Sequence, residues 1–408
     1  MIYKNKTKLK IALPILSFLP NLGGMEVGLH NLATELLKKG HEPVIITSYS
    51  IFKKLEKKNI NLGYKVKSFP PFTFSVFQIS SSFGLFYFKK IFEYLNLRYN
   101  FDFWHITSAF PLGISFIKYA NKKKIPYLLR CVGEDVQFEK EIGYGYSKKK
   151  KNERLIKDHL KQSKNLIATS DSILDCYDKF GILRSRVHKV TNGVVLKNFK
   201  IKVNKNFEKK KYGLDPKAFT MISVGRNHVK KNYDLILKIA SILKTHRKLN
   251  FQFVIVGKDV KKLKNKINDL NLNKNFFLFE DFPLSNPKKL CLPSLELIKL
   301  YKISDIFIFP SLIESFGIVI IEAMAAGVPL VVSEVPGCKD LVKNNKNGFI
   351  VSKNNAEQFV EIILKLHNNK DLLRRIKKNC LNSVKYYDWE KVSQKYIDLY
   401  KKIINKTD

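Results

Sequence analysis

Short apolar runs alternate with longer segments of helical periodicity along this chain, and the whole alternation occurs twice. This alternation predicts βα units, because a short apolar run fits a strand that is buried on both faces of a parallel sheet. The predicted fold class is therefore α/β, with two Rossmann-like, doubly wound domains. The predicted strands of the first half are residues 9–15, 44–47, 101–106, 127–130 and 166–168. Those of the second half are residues 220–224, 251–256, 276–279, 306–309 and 330–332.

The length of the chain also favours two domains. Its 408 residues exceed the roughly 250–300 residues that one hydrophobic core usually organises. Between the two halves, residues 197–214 are polar, rich in Lys and Asn and weakly periodic, which predicts a linker. The predicted helices are residues 28–38, 148–163, 232–245, 294–303, 317–326 and 355–368.

The cysteines and the hydropathy of the chain indicate its compartment. The five cysteines show no short spacing, so they fit neither a disulfide framework nor a zinc knuckle and favour a reducing cytosol. The chain has no run of about 18 apolar residues, so a membrane-spanning helix is not predicted. Residues 1–10 do not predict a signal peptide either, because the apolar stretch after them fits a first buried strand better. The predicted localisation is cytoplasmic.

The net charge of +39 has two explanations that the sequence leaves open. A strongly basic surface marks proteins that bind nucleic acid or anionic membranes. Abundant Lys together with Asn and Ile also follows from a genome that is poor in G and C. Lys-rich runs such as residues 148–151 and 208–211 lack interleaved aromatic residues, which is typical of a solvated face and does not favour a nucleic-acid partner.

Residues 69–88 form an aromatic-rich segment and leave a second question open. Aromatic residues beside basic ones are typical of a segment that lies on an anionic membrane, on the inner face of the cell membrane in this case. The alternative is a loop and an amphipathic helix that pack these rings into the first domain. The residues concerned are Phe72, Phe74, Phe77, Phe83, Phe86 and Phe88, followed by Lys89, Lys90 and Arg98.

Ligands of parallel sheets bind beyond the carboxyl ends of the strands, so the segments that follow predicted strands are the candidate sites. The first is the pair Gly23 and Gly24, which follows the first strand and precedes a helix. Two glycines allow close approach of a phosphate, and the helix offers unpaired N–H groups. A plain turn explains the same pair, and both interpretations stay open.

The second candidate site follows the first strand of the second half. Gly225 and Arg226 end that strand, and Lys231 comes just before a helix. A guanidinium binds two phosphate oxygens at once and an ammonium acts as a point charge, so together they are suited to hold a departing diphosphate. Lys230, in contrast, is interpreted as an ordinary exposed cation.

The third candidate site is the segment 310–329, which runs from a strand end through a turn into an apolar helix. Glu314 lies in the turn and Glu322 follows eight residues later, in the second turn of the helix. Buried carboxylates need partners, and ligands with several hydroxyls, such as ribose and hexoses, supply them. The helix N-terminus suits phosphate through its backbone N–H groups.

Glu314 and Glu322, followed by Ala-Met-Ala-Ala-Gly-Val-Pro, resemble the E-x7-E element of retaining GT-B glycosyltransferases, especially glycosyltransferase family 4. The resemblance extends over nearly the whole chain. The residues around Trp389 resemble the start of the family's terminal helix, which crosses back onto the first domain. The other matching segments are Gly23-Gly24-Met25-Glu26, Asp102-Phe103-Trp104-His105, Gly133-Glu134-Asp135, Val190-Thr191-Asn192-Gly193-Val194, Ser223-Val224-Gly225-Arg226 with Lys231, Tyr301 with Asp305, and Pro310-Ser311.

The resemblance implies a GT-B fold, in which two Rossmann-like domains face each other across a cleft. It implies residues 1–200 as the acceptor-binding domain, 201–385 as the nucleotide-sugar-binding domain and 386–408 as the terminal helix. The implied reaction moves a hexose-type sugar, with retention, from a UDP- or GDP-linked donor to a glycan or lipid-linked glycan acceptor, in cell-surface polysaccharide synthesis. No cofactor is implied. No metal is predicted either, since the sequence contains no Asp-x-Asp triplet.

The resemblance also assigns roles to residues. Arg226, Lys231 and Glu314 are implied as catalytic residues, the first two neutralising the leaving diphosphate and Glu314 binding hydroxyls of the donor sugar. Glu322 is implied to bind the ribose. The remaining donor-binding positions are implied to offer their backbone N–H groups to the phosphates. They are Gly23, Gly24, Gly225, Ser315, Phe316, Gly317, Ile318 and Val319.

One departure from the family pattern concerns Val132, which occupies the position of a family His. Arg130 is one candidate for the missing polar contact, and an ion pair of Arg130 with Glu134 or Asp135 is the alternative. His105 follows a strand and either meets the acceptor or holds a loop. His105, Arg130 and Asp135 are accordingly the predicted acceptor-binding residues.

Two other functions stay open from sequence. One is an RNA- or membrane-binding protein on a catalytically decayed GT-B scaffold, against which the intact set Arg226, Lys231, Glu314 and Glu322 argues. The other is a GT-B epimerase or phosphorylase acting on a related sugar nucleotide or sugar phosphate.

Overall fold

The computed structural model describes residues 7–73, 76, 80–246, 249–280, 282 and 290–407. These residues form two compact units. The first unit contains the described residues up to Asn192 and those from Trp389 onward, and the second contains most of the described residues between Gly193 and Asp388. Each unit is built around its own parallel sheet, as the alternation of apolar runs predicted.

The sheet of the first unit has seven strands in the described residues, and every neighbouring pair is parallel. The order across the sheet is β3-β2-β1-β4-β5-β6-β7. The strands are β1 (Lys10–Pro14), β2 (Glu42–Thr47), β3 (Lys65–Ser68), β4 (Phe103–Thr107), β5 (Tyr127–Arg130), β6 (Leu166–Ala168) and β7 (Val187–Lys189). The helices are α1 (Gly24–Lys38), α2 (Tyr49–Lys57), α3 (Ser81–Tyr99), α4 (Ile114–Lys123), α5 (Lys150–Leu160) and α6 (Asp171–Lys179), with the terminal helix α15 (Trp389–Thr407).

The sheet of the second unit has six strands in the described residues, again all parallel. Their order is β10-β9-β8-β11-β12-β13. The strands are β8 (Phe219–Val224), β9 (Phe251–Val256), β10 (Phe276–Phe279), β11 (Ile306–Phe309), β12 (Leu330–Ser333) and β13 (Gly348–Val351). The helices are α7 (Lys205–Lys211), α8 (Tyr233–Thr245), α9 (Lys264–Asp269), α10 (Leu295–Ile303), α11 (Ile318–Ala325), α12 (Pro336–Leu341), α13 (Ala356–Asn368) and α14 (Lys370–Ser383).

The strands that the sequence did not predict are β3, β7 and β13, and all three lie at a sheet edge. An edge strand needs only one hydrogen-bonded neighbour and is less completely covered, so its apolar signal is weaker. The residues of β3 and β7 are exposed or half-buried, and β13 begins with a glycine. The interior strands, which are continuous apolar runs, were predicted to within two residues at each end.

The predicted linker, residues 197–214, is not without structure. It carries α7 and lies within the second unit. The Lys209 ammonium is only 5% exposed, and it donates to the carbonyl of Ala218 at 2.8 Å. The polar composition of the segment did not predict this helix. Lys209 counts as polar in the sequence, but its methylene groups are buried while its ammonium binds a backbone carbonyl.

The aromatic segment 69–88 divides between the core and the surface. Phe69 and Phe88 are fully buried, with their ring centroids 6.1 Å apart, and they pack with Phe92 in the core of the first unit. Phe83 and Phe86, on α3, are each 55% exposed, and Phe72 is exposed as well. Phe74 and Phe77 lie outside the described residues. Across the described residues, no helix is both long and apolar enough to span a bilayer.

Candidate functional site

The candidate site of the second unit lies where β8 and β11 end. These strands are neighbours, paired in register at Met221 and Ile306, so the segments after them leave the same edge of the sheet. The two segments are joined by hydrogen bonds to the carbonyl of Lys230. Leu312 donates its N–H to that oxygen at 2.8 Å, and the Ser311 hydroxyl donates to it at 2.9 Å. The second and third candidate segments therefore form one site.

A buried ion pair occupies the centre of this edge. Lys231 Nζ lies 2.7 Å from Glu314 Oε2, and the two side chains are 11% and 9% exposed. The ammonium also lies 4.3 Å from the ring centroid of Phe309. Burial alone would raise the pKa of Glu314, but the charges of Lys231 and Lys230 and the hydrogen bonds from Lys231 and the Ser315 N–H hold that pKa at about 2. Glu314 is therefore a carboxylate at neutral pH.

Arg226 lies shortly before Lys231 in the sequence, but its environment is different. Its side chain is exposed, and within the described part of the chain its guanidinium forms no hydrogen bond or ion pair. The turn that carries it is held by the Tyr233 hydroxyl, which donates to the carbonyl of Gly225 at 2.6 Å. A free guanidinium on a fixed turn is available to bind an anion.

The turn between Glu314 and α11 depends on glycine. Gly317 has φ of 85°, a left-handed conformation that disfavours side chains. A Cβ there would also lie 2.8 Å from Ile320 Cδ1. A Cβ on Gly337 would lie 2.4 Å from the carbonyl oxygen of Glu314. Two glycines thus let the chain fold tightly around Glu314. No described side chain caps the N-terminus of α11.

Glu322 is buried in α11, 5% exposed. The Tyr301 hydroxyl, from α10, donates to Glu322 Oε2 at 3.0 Å. Burial raises the pKa of Glu322 to about 7, and the hydrogen bond from Tyr301 opposes only part of that shift. Neither Tyr301 as the partner of Glu322 nor Phe309 beneath Lys231 was predicted from sequence. Both residues lie in apolar runs, and only the fold shows which way their side chains point.

Gly23 and Gly24 lie at the start of α1 in the first unit. Gly23 precedes the helix and its carbonyl accepts the N–H of Val27 at 3.0 Å. A Cβ on Gly23 would lie 2.5 Å from Glu26 Oε2. A carboxylate thus already stands in the first turn of α1, where it complements the helix dipole. The phosphate-binding role of these glycines stays a prediction.

His105 is fully buried on β4. Its Nδ1 lies 2.6 Å from the hydroxyl of Tyr400 on α15, and its ring contacts that of Tyr396 in a tilted arrangement with the centroids 5.3 Å apart. Burial, and next the charge of Arg130, lowers the pKa of His105 to about 3, so the imidazole is neutral at physiological pH. These contacts belong to the packing of α15 on its own unit.

Arg130 and Asp135 are also buried, at 3% and 0% exposed. Arg130 Nη2 donates to Asn192 Oδ1 at 2.6 Å, so the predicted alternative of an ion pair with Glu134 or Asp135 is wrong. Asp135 instead accepts the backbone N–H groups of three residues at 2.6–3.1 Å. It thereby holds the loop after β5. The donors are Ala109, Val132 and Gly133.

In the described part of the chain, no three or more His, Cys, Asp or Glu side chains form a group that could hold a metal ion. Metal independence therefore stays a prediction.

Comparison with known proteins identifies the family. The model described as "Glycosyltransferase Family 4" matches residues 22–198, and the model described as "Glycosyl transferases group 1" matches residues 204–382. The two matches follow each other along the chain and together cover most of it, one half after the other.

Curated relatives agree with the family models. A UDP-Gal:alpha-D-GlcNAc-diphosphoundecaprenol alpha-1,3-galactosyltransferase of Escherichia coli is 30% identical over 57% of this chain and 58% of its own length. An uncharacterised glycosyltransferase of Haemophilus influenzae is 31% identical over 43% of this chain and 47% of its own length. The chain thus matches only about half the length of these two relatives. The alpha-monoglucosyldiacylglycerol synthase of Acholeplasma laidlawii is 24% identical over 96% of both chains.

Among solved structures, Anabaena HepE in complex with UDP has a TM-score of 0.76 at 16% identity, covering 97% of this chain and all of its own. At this identity the likeness concerns the fold alone. It agrees with two parallel-sheet units. The chain belongs to the glycosyltransferase family 4-like enzymes with the GT-B fold.

Proposed function

We propose that this protein is a retaining glycosyltransferase that uses a nucleotide-sugar donor. The observation that carries the proposal is the edge of the second unit, where a buried Lys231–Glu314 pair lies beside a free, exposed Arg226. Family membership supplies the class of enzyme, and the charges at this edge supply the reason for a diphosphate donor.

Arg226 and Lys231 would bind the diphosphate. Arg226 offers several N–H donors on a turn that Tyr233 fixes, and Lys231 offers a point charge. As the bond from the anomeric carbon to the phosphate oxygen breaks, negative charge develops on the leaving diphosphate. Cations positioned before the reaction stabilise that charge without reorganisation.

The two carboxyl groups suit two different sets of hydroxyls. Glu314, ionised and paired with Lys231, would accept hydrogen bonds from the donor sugar. Glu322 has a pKa near 7, so it can accept from ribose hydroxyls as a carboxylate or donate to them when protonated. These assignments follow the family resemblance and the burial of both groups.

In the proposed step, the acceptor hydroxyl oxygen forms a bond to the anomeric carbon on the face that the diphosphate leaves. The acceptor's proton passes to the leaving phosphate oxygen. No side-chain nucleophile and no metal ion enters this scheme, and the enzyme acts by position and charge.

We further propose a lipid-linked glycan or glycolipid acceptor and a UDP-linked donor. The name of the E. coli relative specifies a lipid-linked acceptor, that of the Acholeplasma relative specifies a glycolipid product, and HepE was solved with UDP. The product would then belong to a cell-surface polysaccharide or glycolipid.

The experiment is a turnover panel without added metal. UDP-glucose, UDP-galactose, UDP-N-acetylglucosamine and GDP-mannose are each incubated with a polyprenyl-diphosphate-linked monosaccharide or with diacylglycerol. Release of nucleoside diphosphate and the anomeric NMR coupling of the product are measured. The proposal predicts turnover of one donor, with the donor's anomeric configuration kept.

Arg226→Ala should abolish most of that turnover, while the matched surface variant Arg374→Ala, in the same unit, should keep it. Failure of every donor, combined with tight and salt-sensitive RNA binding, would favour the decayed scaffold instead. Interconversion of free sugar nucleotides would favour the epimerase.

A face of α3 supports contact with an anionic membrane. Phe83, Phe86, Lys90, Tyr94 and Leu97 follow one another at spacings of three and four residues, which places them on one side of the helix. The four apolar and aromatic members are 51–83% exposed. Rings and lysines on one exposed stripe are typical of helices that lie in the headgroup region.

Vesicle sedimentation tests this contact. The wild type should pellet with phosphatidylglycerol vesicles more than with phosphatidylcholine vesicles, and Phe83→Ser/Phe86→Ser should reduce pelleting at least severalfold. Leu183→Ser, equally exposed in the same unit, is the control. Equal pelleting of all three proteins would reject the α3 face.

A further inference from the structure

A cluster of buried polar atoms lies between β4, β5 and α15 in the first unit, apart from the site described above. None of these atoms has a protein hydrogen-bond partner within the described residues. Their residues are at most 3% exposed. The atoms are His105 Nε2, Thr107 Oγ1, Arg130 Nε, Arg130 Nη1 and Tyr396 Oη.

The sheet places the strand members of this cluster on one face. Thr107 and Arg130 are register partners on the adjacent strands β4 and β5, and partners in a parallel pair point to the same side. His105 precedes Thr107 by two residues and therefore points to that side as well.

The helix α15 covers this same face. His105 forms a hydrogen bond with Tyr400, and its ring contacts the tilted ring of Tyr396. The charge of Arg130 acts on His105, Tyr396 and Tyr400 alike. The guanidinium is therefore enclosed between the sheet and the tyrosines of α15.

No described side chain balances the charge of this cluster. Across the described residues, Arg130 forms no ion pair, and its one hydrogen bond is to the Asn192 amide oxygen. A buried guanidinium without a counter-charge carries a desolvation cost of several kcal/mol.

The unpartnered atoms of the cluster are mostly donors. Arg130 Nε and Nη1 only donate. His105 Nε2 is a donor in the tautomer whose Nδ1 accepts from the Tyr400 hydroxyl, and this is the tautomer that an anion at Nε2 requires. The hydroxyls of Thr107 and Tyr396 are able to donate too. A positive charge with several donors and no carboxylate matches an anion.

We propose that the first unit binds one small inorganic anion of the size of chloride against Arg130, His105, Thr107 and Tyr396, beneath α15. The burial of the cluster limits the size of the anion. A phosphate ester or a sugar acid would need an opening to solvent, and residues that are at most 3% exposed do not provide one. The anion supplies the counter-charge of Arg130 and fastens the terminal helix to its sheet. Arg130 and His105 are in this account positioning residues, whatever the enzyme's donor or acceptor.

Crystals grown in bromide test the site directly, since bromide replaces chloride and scatters anomalously. An anomalous peak within hydrogen-bonding distance of Arg130 Nε or Nη1 is expected. Water density at that place without an anomalous peak, or bromide only on surface lysines as an adventitious ion, would overturn the proposal.

Thermal unfolding at constant ionic strength tests it in solution. The melting temperature should rise saturably when sodium chloride replaces sodium gluconate, because an anion that binds only the folded state stabilises it. Tyr396→Phe should weaken the apparent chloride affinity about tenfold, the effect of one lost hydrogen bond to a charged group. Arg154→Met, at an exposed arginine of the same unit, should leave the chloride dependence intact.

Arg130→Met removes the charge that the anion neutralises. The variant should lose the chloride dependence of its melting temperature altogether. If Arg130→Met does not fold, the chloride affinity of Tyr396→Phe tests the proposal. A chloride dependence that both cluster variants retain in full would contradict the proposal.

Discussion

The two sheet edges of this protein carry similar residues and place them in opposite ways. At the edge of the second unit, Lys231 and Glu314 neutralise each other and Arg226 faces solvent. At the edge of the first unit, Arg130 and Asp135 are turned inward, the one bonded to an amide and the other to three backbone N–H groups. One edge keeps a cation free for a ligand, and the other uses its polar groups within the unit.

The difference shows that the location of a polar residue just after a strand does not by itself determine the function of that residue. Parallel topology brings polar residues to the carboxyl edge in both units. What separates the edges is the covering element, since α15 closes over the face of β4 and β5 in the first unit. Acceptor binding by His105, Arg130 and Asp135 therefore stays a prediction, while their described contacts favour a positioning role.

The largest expected effect on stability is at the buried pair. Lys231→Met should destabilise the second unit by about 3 kcal/mol, because Glu314 is left as a buried carboxylate without its main partner. Urea unfolding at pH 7, followed by hydrogen exchange of β8 and β11, measures it. Lys231→Met/Glu314→Gln should recover part of the loss. No loss in the single variant would mean that the pair is not buried as described.

A pH-dependent effect of similar or smaller size is expected from Glu322. Its folded-state pKa of about 7 exceeds its ordinary value of 4.5, so between these pH values the folded protein holds a proton that the unfolded chain has released. Stability conferred by the protonated form is thus present at low pH and is lost as the pH rises toward 7, by about 3 kcal/mol at most.

Glu322→Gln should remove this decline, and urea midpoints of the two proteins between pH 4.5 and 8 provide the comparison. Glu361→Gln, on the surface of the same unit, should follow the wild type. Parallel curves for the wild type and Glu322→Gln would show that Glu322 titrates normally.

The smallest of these effects concerns the first unit. Tyr400→Phe removes the buried hydrogen bond to His105 Nδ1 and should cost about 1–2 kcal/mol. Tyr49→Phe, at a partly exposed tyrosine of the same unit, should change stability little. Chemical denaturation of both variants makes the comparison. An unchanged free energy of unfolding in Tyr400→Phe would contradict the view that His105 holds α15 on the sheet.

The sequence predicted the interior strands and gathered the candidate residues of the second unit into short segments, because both depend on local signals. Continuous apolar runs mark buried strands, and the segment from Pro310 to Pro329 carries its two carboxyl groups and its glycines within twenty neighbouring positions. The environment of His105 was not predictable in the same way. Its partner, Tyr400, lies 295 residues further along the chain, and nothing near His105 indicates which helix covers it.

The most direct test of the central claim is calorimetric titration of UDP and GDP into three proteins, without metal: the wild type, Arg226→Ala and Tyr400→Phe. The account predicts that one nucleotide binds the wild type, that Arg226→Ala weakens its binding at least tenfold, and that Tyr400→Phe binds it as the wild type does. Unchanged binding in Arg226→Ala, or a loss confined to Tyr400→Phe, would contradict the assignment of the nucleotide site to the second unit.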